Sequence, residues 1–311
     1  MTGDDVKRTI AVLLFVAAVF AISYLGFQWV DRSPHASPTR RGDPSSVPQR
    51  IVSLAPSITE VLFALGLGDD VAGVTQFCNY PPEAIDKPRV GGYYDLNYEA
   101  VAALDPDLIV MLPEHTEAHR HFAAQGYRIL TINHQTIESI LESIRTVGRM
   151  CGVADRTERL VRDTRRRMTV VRQKTADLPP VRVMLAVGRD VSSGKVEDVC
   201  IAGTGGFYQE MIELAGGENV FEGNALYPTV AGEGIVSMNP DVIVDMTGDL
   251  AGQSLDRAAV TRQWDAFPDV NAVKNGRVYV FDEDYMTIPG PRFVLVIERL
   301  ARVLHPEVDW N

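Results

Sequence analysis

Two stretches of the chain carry nearly the same pattern of apolar and polar positions. Residues 102–112 read AALDPDLIVML, and residues 236–246 read VSMNPDVIVDM. In each stretch a proline ends a short helical segment, because the residue before proline is driven out of the α region. The unbroken apolar run that follows is typical of a strand buried on both faces of a parallel sheet. The repeat therefore predicts two similar α/β units in one chain.

The elements around the two repeats follow one order. The apolar pattern predicts strands at residues 50–54, 71–74, 108–112 and 128–132 in the first half, and at 181–187, 242–246 and 277–281 in the second. The first helix begins at Pro56, where Ser57 and Glu60 have capping-box spacing. The first strand's arginine precedes the repeated proline by 56 residues in one half (50 to 106) and by 58 in the other (182 to 240). This agreement places the repeated stretches at the same point of two units.

A segment without proline, residues 136–176, joins the two halves. Its first part has apolar residues at helical spacing, and beyond Gly152 it continues as a charged helical pattern. We predict an α/β fold with two similar Rossmann-like lobes, residues 50–135 and 177–311. A long rigid α-helix, residues 136–176, is expected to join them, with a ligand cleft between the lobes. Two independent domains with an ordinary helical linker are the alternative.

The N-terminus differs from the rest of the chain. Residues 10–30 form an uncharged apolar run of 21 residues, which is enough to cross a bilayer as a helix. Residues 1–30 are therefore predicted to be a transmembrane anchor or a signal, and the Pro- and Ser-rich residues 31–49 a flexible linker. A single-pass anchor in the cytoplasmic membrane would hold the folded part on the periplasmic or extracellular side. Secretion to the periplasm after signal cleavage is the alternative.

Composition and short motifs exclude some classes of function. The net charge of −11 argues against nucleic acid as a partner. The three cysteines, Cys78, Cys151 and Cys200, lie far apart without a CxxC pair, so their pairing stays open. The stretch 188–196 has glycines and a lysine like a phosphate loop, but its spacing is wrong and valine follows the lysine. We therefore predict neither an enzyme nor a resident cofactor.

Four stretches, in their order along the chain, resemble a known family. They are RIVSLAPSITEVLFALGLGDDVAGVT, CNYPPEA, KPRVGGYYDLNYEAVAALDPDLIV and LAGGENVF. Together they resemble the periplasmic-binding proteins of cobalamin, haem and iron-siderophore ABC importers, over about residues 50–307. The resemblance implies a monomeric extracytoplasmic binder that captures a corrinoid, haem or ferric siderophore. It would deliver this ligand to an ABC permease and its ATPase.

The resemblance also implies particular site residues. The candidates for the ligand-binding cleft are Pro56, Ser57, Tyr93, Tyr94, Cys200, Tyr227, Asp284 and Tyr285. Tyrosine rings suit a large planar macrocycle, whereas Cys200 stands where cobalamin-binding relatives have a large aromatic residue. Docking onto the permease is assigned to Glu117 and Glu233, taken as matching positions in the two lobes, with Glu114 as an alternative.

Two other hypotheses stay open at this point. His115 and His119 are four residues apart, so on a helix both could bind one zinc or manganese ion, with Glu114 or His134 completing the site. One of these histidines could instead ligate haem, or they could be ordinary exposed polar residues. A membrane-anchored ligand sensor is the third class of function.

Overall fold

The computed structural model describes residues 46–246 and 255–310. The N-terminal lobe holds a parallel sheet of four strands in the order β2–β1–β3–β4 among the described residues. These strands are β1 (Ile51–Ser53), β2 (Val71–Val74), β3 (Leu108–Met111) and β4 (Ile129–Thr131). Its helices are α1 (Pro56–Ala64), α2 (Tyr98–Ala103) and α3 (Thr116–Ala124). The predicted strands of this half are confirmed.

The joining segment is helical, but it is not one helix. It consists of α4 (Ile137–Met150) and α5 (Ala154–Thr175). Gly152, at φ +69°, breaks the segment between them because this left-handed backbone ends a helix. The two helices pack closely, since a Cβ on Gly148 would lie 1.8 Å from Thr157 Oγ1. The predicted rigid connector is therefore a packed helix pair whose second member, at 22 residues, is about 33 Å long.

The C-terminal lobe repeats the strand order of the first. Its strands are β5 (Val181–Gly188), β6 (Val199–Ile201), β7 (Gly217–Asn219), β8 (Thr229–Val230), β9 (Val242–Met246) and β10 (Val278–Phe281). Its helices are α6 (Phe207–Leu214), α7 (Gly232–Met238), α8 (Arg257–Gln263), α9 (Asn271–Lys274) and α10 (Phe293–Leu304). Parallel pairing gives the order β7–β5–β9–β10, which matches β2–β1–β3–β4. The fold class is thus α/β with two similar lobes, and the finer domain limits stay a prediction.

The helices of the two repeated stretches end in the same way, with a residue in the left-handed conformation. Asp105 and Asn239, each directly before the repeated proline, have φ values of 44° and 41°. This left-handed conformation is one that Asp and Asn tolerate better than most residues. In each lobe the arginine before or within the first strand donates to a carbonyl at the end of this helix. Arg50 Nη2 lies 2.5 Å from Leu104 O, and Arg182 Nη2 lies 2.8 Å from the carbonyl of Met238.

The C-terminal lobe also carries an addition that the sequence pattern did not predict. β5 has eight residues, whereas β1 has three. The first part of β5 pairs with β7, and its end pairs antiparallel with β6, which in turn pairs antiparallel with β8. β6 and β8 are only three and two residues long, so neither carries a periodic pattern that could be recognised.

The start of α1 corrects one prediction. Ala55 is the N-cap residue and no side chain caps the helix, so the capping box of Ser57 and Glu60 is wrong. Both side chains have tertiary partners instead: Ser57 contacts His134, and Glu60 binds Arg292. At the other end of α1, Gly66 has φ +71° directly after the C-cap residue.

The predicted membrane span, residues 10–30, lies outside the described residues, as does most of the predicted linker. Within residues 46–246 and 255–310, no helix combines the length and the apolar character needed to cross a membrane.

Candidate ligand-binding cleft

A cavity of about 650 Å³ lies between the two lobes, a size that suits small-molecule ligands. The segments after β1, β3 and β4 line it, which places the cavity at the carboxyl ends of three parallel strands, where α/β sheets bind ligands. The C-terminal lobe closes one side with residues 287–289. The lining residues are Ala55, Pro56, Ser57, Phe77, Tyr93, Leu112, Pro113, Glu114, Asn133, His134, Gln135, Thr287, Ile288 and Pro289.

His134 stands in the wall of this cavity as a neutral imidazole. Its side chain is buried, and Nδ1 lies 3.0 Å from Ser57 Oγ. Burial lowers the pKa of His134 to about 4, so the ring is uncharged at neutral pH. Its Nε2 is buried without a hydrogen-bond partner among the described residues. A buried polar atom of this kind favours a ligand group as its partner.

Tyr93 and Glu114 form a hydrogen-bonded pair at the wall. The Tyr93 hydroxyl donates to Glu114 Oε1 at 2.7 Å. Burial, followed by this bond to the carboxylate, raises the pKa of Tyr93 well above its ordinary value, so the phenol keeps its proton. The ring of Tyr94 packs edge-on against that of Tyr93, at a centroid distance of 4.8 Å. Tyr94 itself is 79% exposed and does not line the cavity, so it lies beside the cleft rather than in it.

The zinc hypothesis does not match the histidines. The Leu112 N–H donates to His115 Nδ1 at 3.1 Å, so the proton of the neutral ring lies on Nε2. Burial lowers the pKa of His115, which keeps it neutral. His119 is exposed on α3. Among the described residues no group of three or more histidines, cysteines or acidic residues could hold a metal ion.

Tyr227 and Cys200 belong to the C-terminal lobe, and neither is among the residues that line the cavity. Burial, with smaller contributions from Cys200 and Glu114, raises the pKa of Tyr227. Burial likewise raises the pKa of the Cys200 thiol. All three cysteines are free, and Cys78 is hydrogen-bonded to two threonines within its own lobe.

Asp284 and Tyr285 do not line the cavity, because Arg292 engages both. The Arg292 guanidinium binds Asp284 at 2.8 and 3.0 Å and lies 5.3 Å from the Tyr285 ring centroid. The same guanidinium reaches across to Glu60 of α1 at 2.6 and 2.9 Å. We call Glu60, Asp284 and Arg292 the interlobe clamp. Residues 287–289, which line the cavity, lie between its two C-terminal members, so the clamp holds this wall against α1.

The structure thus brings together Pro56, Ser57 and Tyr93 as predicted cleft residues in the cavity wall. Cys200 and Tyr227 are not among the lining residues, and their contact with a ligand stays a prediction. Phe77, Asn133, Gln135 and residues 287–289 also line the cavity, but the sequence patterns did not predict them as cleft residues. For Asn133 and Gln135 a signal existed, since they directly follow a predicted strand.

The two glutamates predicted to dock are exposed, but they do not occupy matching positions. Glu233 is the second residue of α7, the helix that leads to the repeated proline of the C-terminal lobe. Glu117 is the second residue of α3, which follows the repeated stretch of the other lobe. The fold equivalent of Glu233 is the exposed Glu99, the second residue of α2. Glu99 and Glu233 each precede the repeated proline by seven residues (99 to 106, 233 to 240).

Two α/β lobes that enclose one cleft define a class of solute-binding proteins. The family model described as periplasmic binding protein matches residues 51–285, and the chain belongs to this family. The chain is 30% identical over 268 residues to the uncharacterized ABC transporter substrate-binding lipoprotein YvrC of Bacillus subtilis, with 84% of this chain and 81% of YvrC covered.

Solved structures agree with this assignment. The periplasmic vitamin B12 binding protein BtuF of Vibrio cholerae superposes with a TM-score of 0.70 at 26% identity, covering 83% of this chain and 97% of BtuF. The periplasmic heme-binding protein RhuT from Roseiflexus sp. RS-1 gives a TM-score of 0.69 at 26% identity, covering 83% and 98%. The chain is thus similar to binders of two different macrocycles.

Proposed function

We propose that this protein captures a corrinoid, haem or ferric siderophore outside the cytoplasm and delivers it to an ABC permease and its ATPase. The observation that carries the proposal is the cavity of about 650 Å³ at the carboxyl ends of β1, β3 and β4, closed by the other lobe. The similarity to a vitamin B12 binding protein and a heme-binding protein supports the choice of ligands. The protein acts by binding and release, without catalysis.

The lining of the cavity suits a large, partly apolar ligand. Phe77 and Tyr93 supply aromatic surface from the N-terminal lobe, and Ile288 and Pro289 supply apolar surface from the C-terminal lobe. Aromatic side chains bury much area with few rotatable bonds. Ser57, Asn133 and Gln135 add polar groups that can orient the ligand.

Capture involves only modest closure, because several contacts already tie the lobes together. The clamp joins α1 to the segment before α10, and Glu210 of α6 accepts a hydrogen bond from the Ile137 N–H at the start of α4, at 2.6 Å. The apolar core is also continuous, since Ile58, Ile144 and Phe293 belong to one buried cluster. Packed interfaces of this kind favour small sliding motions over wide hinge bending.

Delivery requires a surface that meets the permease. We assign it to the exposed carboxylates of Glu99 and Glu233, one on each lobe, because they occupy equivalent positions in the fold. Glu117, the candidate from the sequence, is the competing assignment in the N-terminal lobe. A single-pass anchor formed by residues 10–30 would keep the binder near its permease.

A thermal-shift and calorimetry screen of the full-length protein tests the proposed capture. The panel holds cyanocobalamin, cobinamide, haemin, ferric siderophores and divalent metal ions. A ligand at a hundred times its dissociation constant stabilises the folded state by about 2.7 kcal/mol. A response to a corrinoid, haemin or a siderophore is the expected result. A response to zinc alone, or to no member of the panel, would contradict the proposal.

A further inference from the structure

We propose that the cleft selects an uncharged or cationic metal complex with many amide or hydroxamate groups, and rejects anionic complexes. The inference rests on the proposed function and narrows its ligand class. It follows from the charges of the residues that face the cavity.

Glu114 is the one residue of the described cavity lining that carries a charge at neutral pH. No lysine or arginine is among these lining residues, and burial keeps His134 neutral, with a pKa of about 4. Among the described lining residues, the carboxylate of Glu114 therefore has no lysine or arginine beside it.

Three arginines already have partners: Arg292 and Arg89, which are near lining segments in the sequence, and Arg189 in the C-terminal lobe. Arg292, three residues after Pro289, is held by Glu60 and Asp284. Arg89 donates to the backbone carbonyls of residues 75, 78 and 85. In the C-terminal lobe, Arg189 is fully buried against Asp245. None of the three is free to turn towards a ligand, because each would leave a buried or paired group behind.

The pKa shifts of groups in and near the cleft also indicate a negative electrostatic field. Glu114 contributes to the pKa values of Tyr93, His134 and Tyr227, and no cation contributes to any of them. A ligand carboxylate that entered this space would lose water without gaining a cationic partner, which is strongly unfavourable. It would also be repelled by Glu114. Haem with its propionates and iron bound by three catecholates both meet this penalty.

Amide-rich ligands match the cavity instead. Asn133 and Gln135 offer amide donors, and the side-chain oxygen of Gln135 offers an acceptor. Asn133 Oδ1 already accepts from the Gln135 N–H at 2.8 Å, and the Ser57 hydroxyl, which lies 3.0 Å from His134 Nδ1, keeps capacity for one further hydrogen bond. These groups pair with the amides of a corrinoid or with the hydroxamates and amides of a neutral siderophore. A cationic pendant group gains from Glu114 and from the faces of nearby tyrosines.

Matched pairs of probes that differ chiefly in charge test the inference for each ligand class. The pairs are cyanocobalamin and its monocarboxylic acid, ferrioxamine B and its N-succinyl derivative, and haemin dimethyl ester and haemin. Calorimetry on the full-length protein should show the less negative member of the pair that binds to be tighter by about tenfold, equivalent to about 1.4 kcal/mol. Tighter binding of the anionic member would overturn the inference.

The variant Glu114→Gln assigns this preference to one carboxylate. It keeps an acceptor for the Tyr93 hydroxyl, removes the charge, and should reduce the discrimination within the pair about fivefold. Glu117→Gln is the matched control, since this exposed carboxylate lies three residues away and does not line the cavity. Equal changes in both variants would overturn the assignment to Glu114. Failure of every probe to bind contradicts the proposed function itself, and is distinguishable from inverted preference.

Discussion

In the N-terminal lobe, β1, β3 and β4 end in segments that line the cleft, together with Phe77 and Tyr93. In the C-terminal lobe the cavity wall consists of residues 287–289 alone, although the core strands follow the same order. The second lobe instead extends β5 into an antiparallel pairing with β6 and β8. The two lobes share the order of the core strands and the left-handed residue that ends the helix before the repeated proline. The side chains that line the cleft come from segments that are not repeated between the lobes. Equivalent positions should therefore behave alike in the scaffold and differently around the cleft.

The largest effect is expected at the equivalent surface glutamates. Glu99→Ala combined with Glu233→Ala should abolish uptake in cells, because the permease loses a carboxylate contact on each lobe, while affinity for the ligand identified by the screen stays within about twofold. Uptake and calorimetry measure the two quantities.

The comparison variant pairs Glu117→Ala with Glu233→Ala. Loss of uptake in this variant, with normal uptake in the Glu99 and Glu233 pair, would show that fold equivalence does not determine the docking surface.

The interlobe clamp should be the next most sensitive feature. Arg292→Ala removes the partner of Glu60, whose side chain is 2% exposed, and should lower the free energy of unfolding by about 3 kcal/mol. Urea denaturation measures the loss. Adding Glu60→Gln should recover part of it, since the buried charge is then gone. A loss below about 1 kcal/mol for the single variant would mean that the clamp behaves as a surface ion pair.

Acid should destabilise the protein through the N-terminal lobe. The folded pKa of His134 is about 4, against an ordinary value of 6.5, so between these pH values the unfolded state binds more protons than the folded one. Stability from this group is complete above pH 6.5 and is lost as the pH falls towards 4, by up to about 3 kcal/mol. In His134→Asn the unfolding free energy should change less over this window. An unchanged pH profile in the variant would contradict the assignment.

The smallest effect compares the two helix ends directly. Asp105→Ala should cost about 1 kcal/mol, because alanine is strained at positive φ. Asn239→Ala should cost about 2 kcal/mol, since the Asn239 side chain also accepts from the Asn271 N–H at 2.8 Å. Thermal unfolding of both variants checks the ratio. Glycine at either position should relieve the backbone strain at positive φ.

The sequence repeat was sufficient to predict that the two lobes have similar elements in the same order along the chain. The reason is that each long apolar run has to be buried on both faces of a sheet. Short strands such as β6 carry no such signal. At the site, Pro56 and Ser57 could be predicted from their place after a strand. Asp284 was assigned to the cleft, yet Arg292 engages it, and a partner eight residues away leaves no pattern in the sequence. The docking role of Glu117 and Glu233 stays a prediction, but these residues lie on helices that are not equivalent in the two lobes.

Within the described residues the chain passes between the sheets once, through α4 and α5. During synthesis, the first sheet can therefore form before any strand of the second has left the ribosome. The apolar faces of α1 and α4 must then wait for α10, which contributes to the same buried cluster and is made much later than either helix. A nascent chain stalled before residue 293 would present these faces to chaperones, so the synthesis of α10 is needed to cover them.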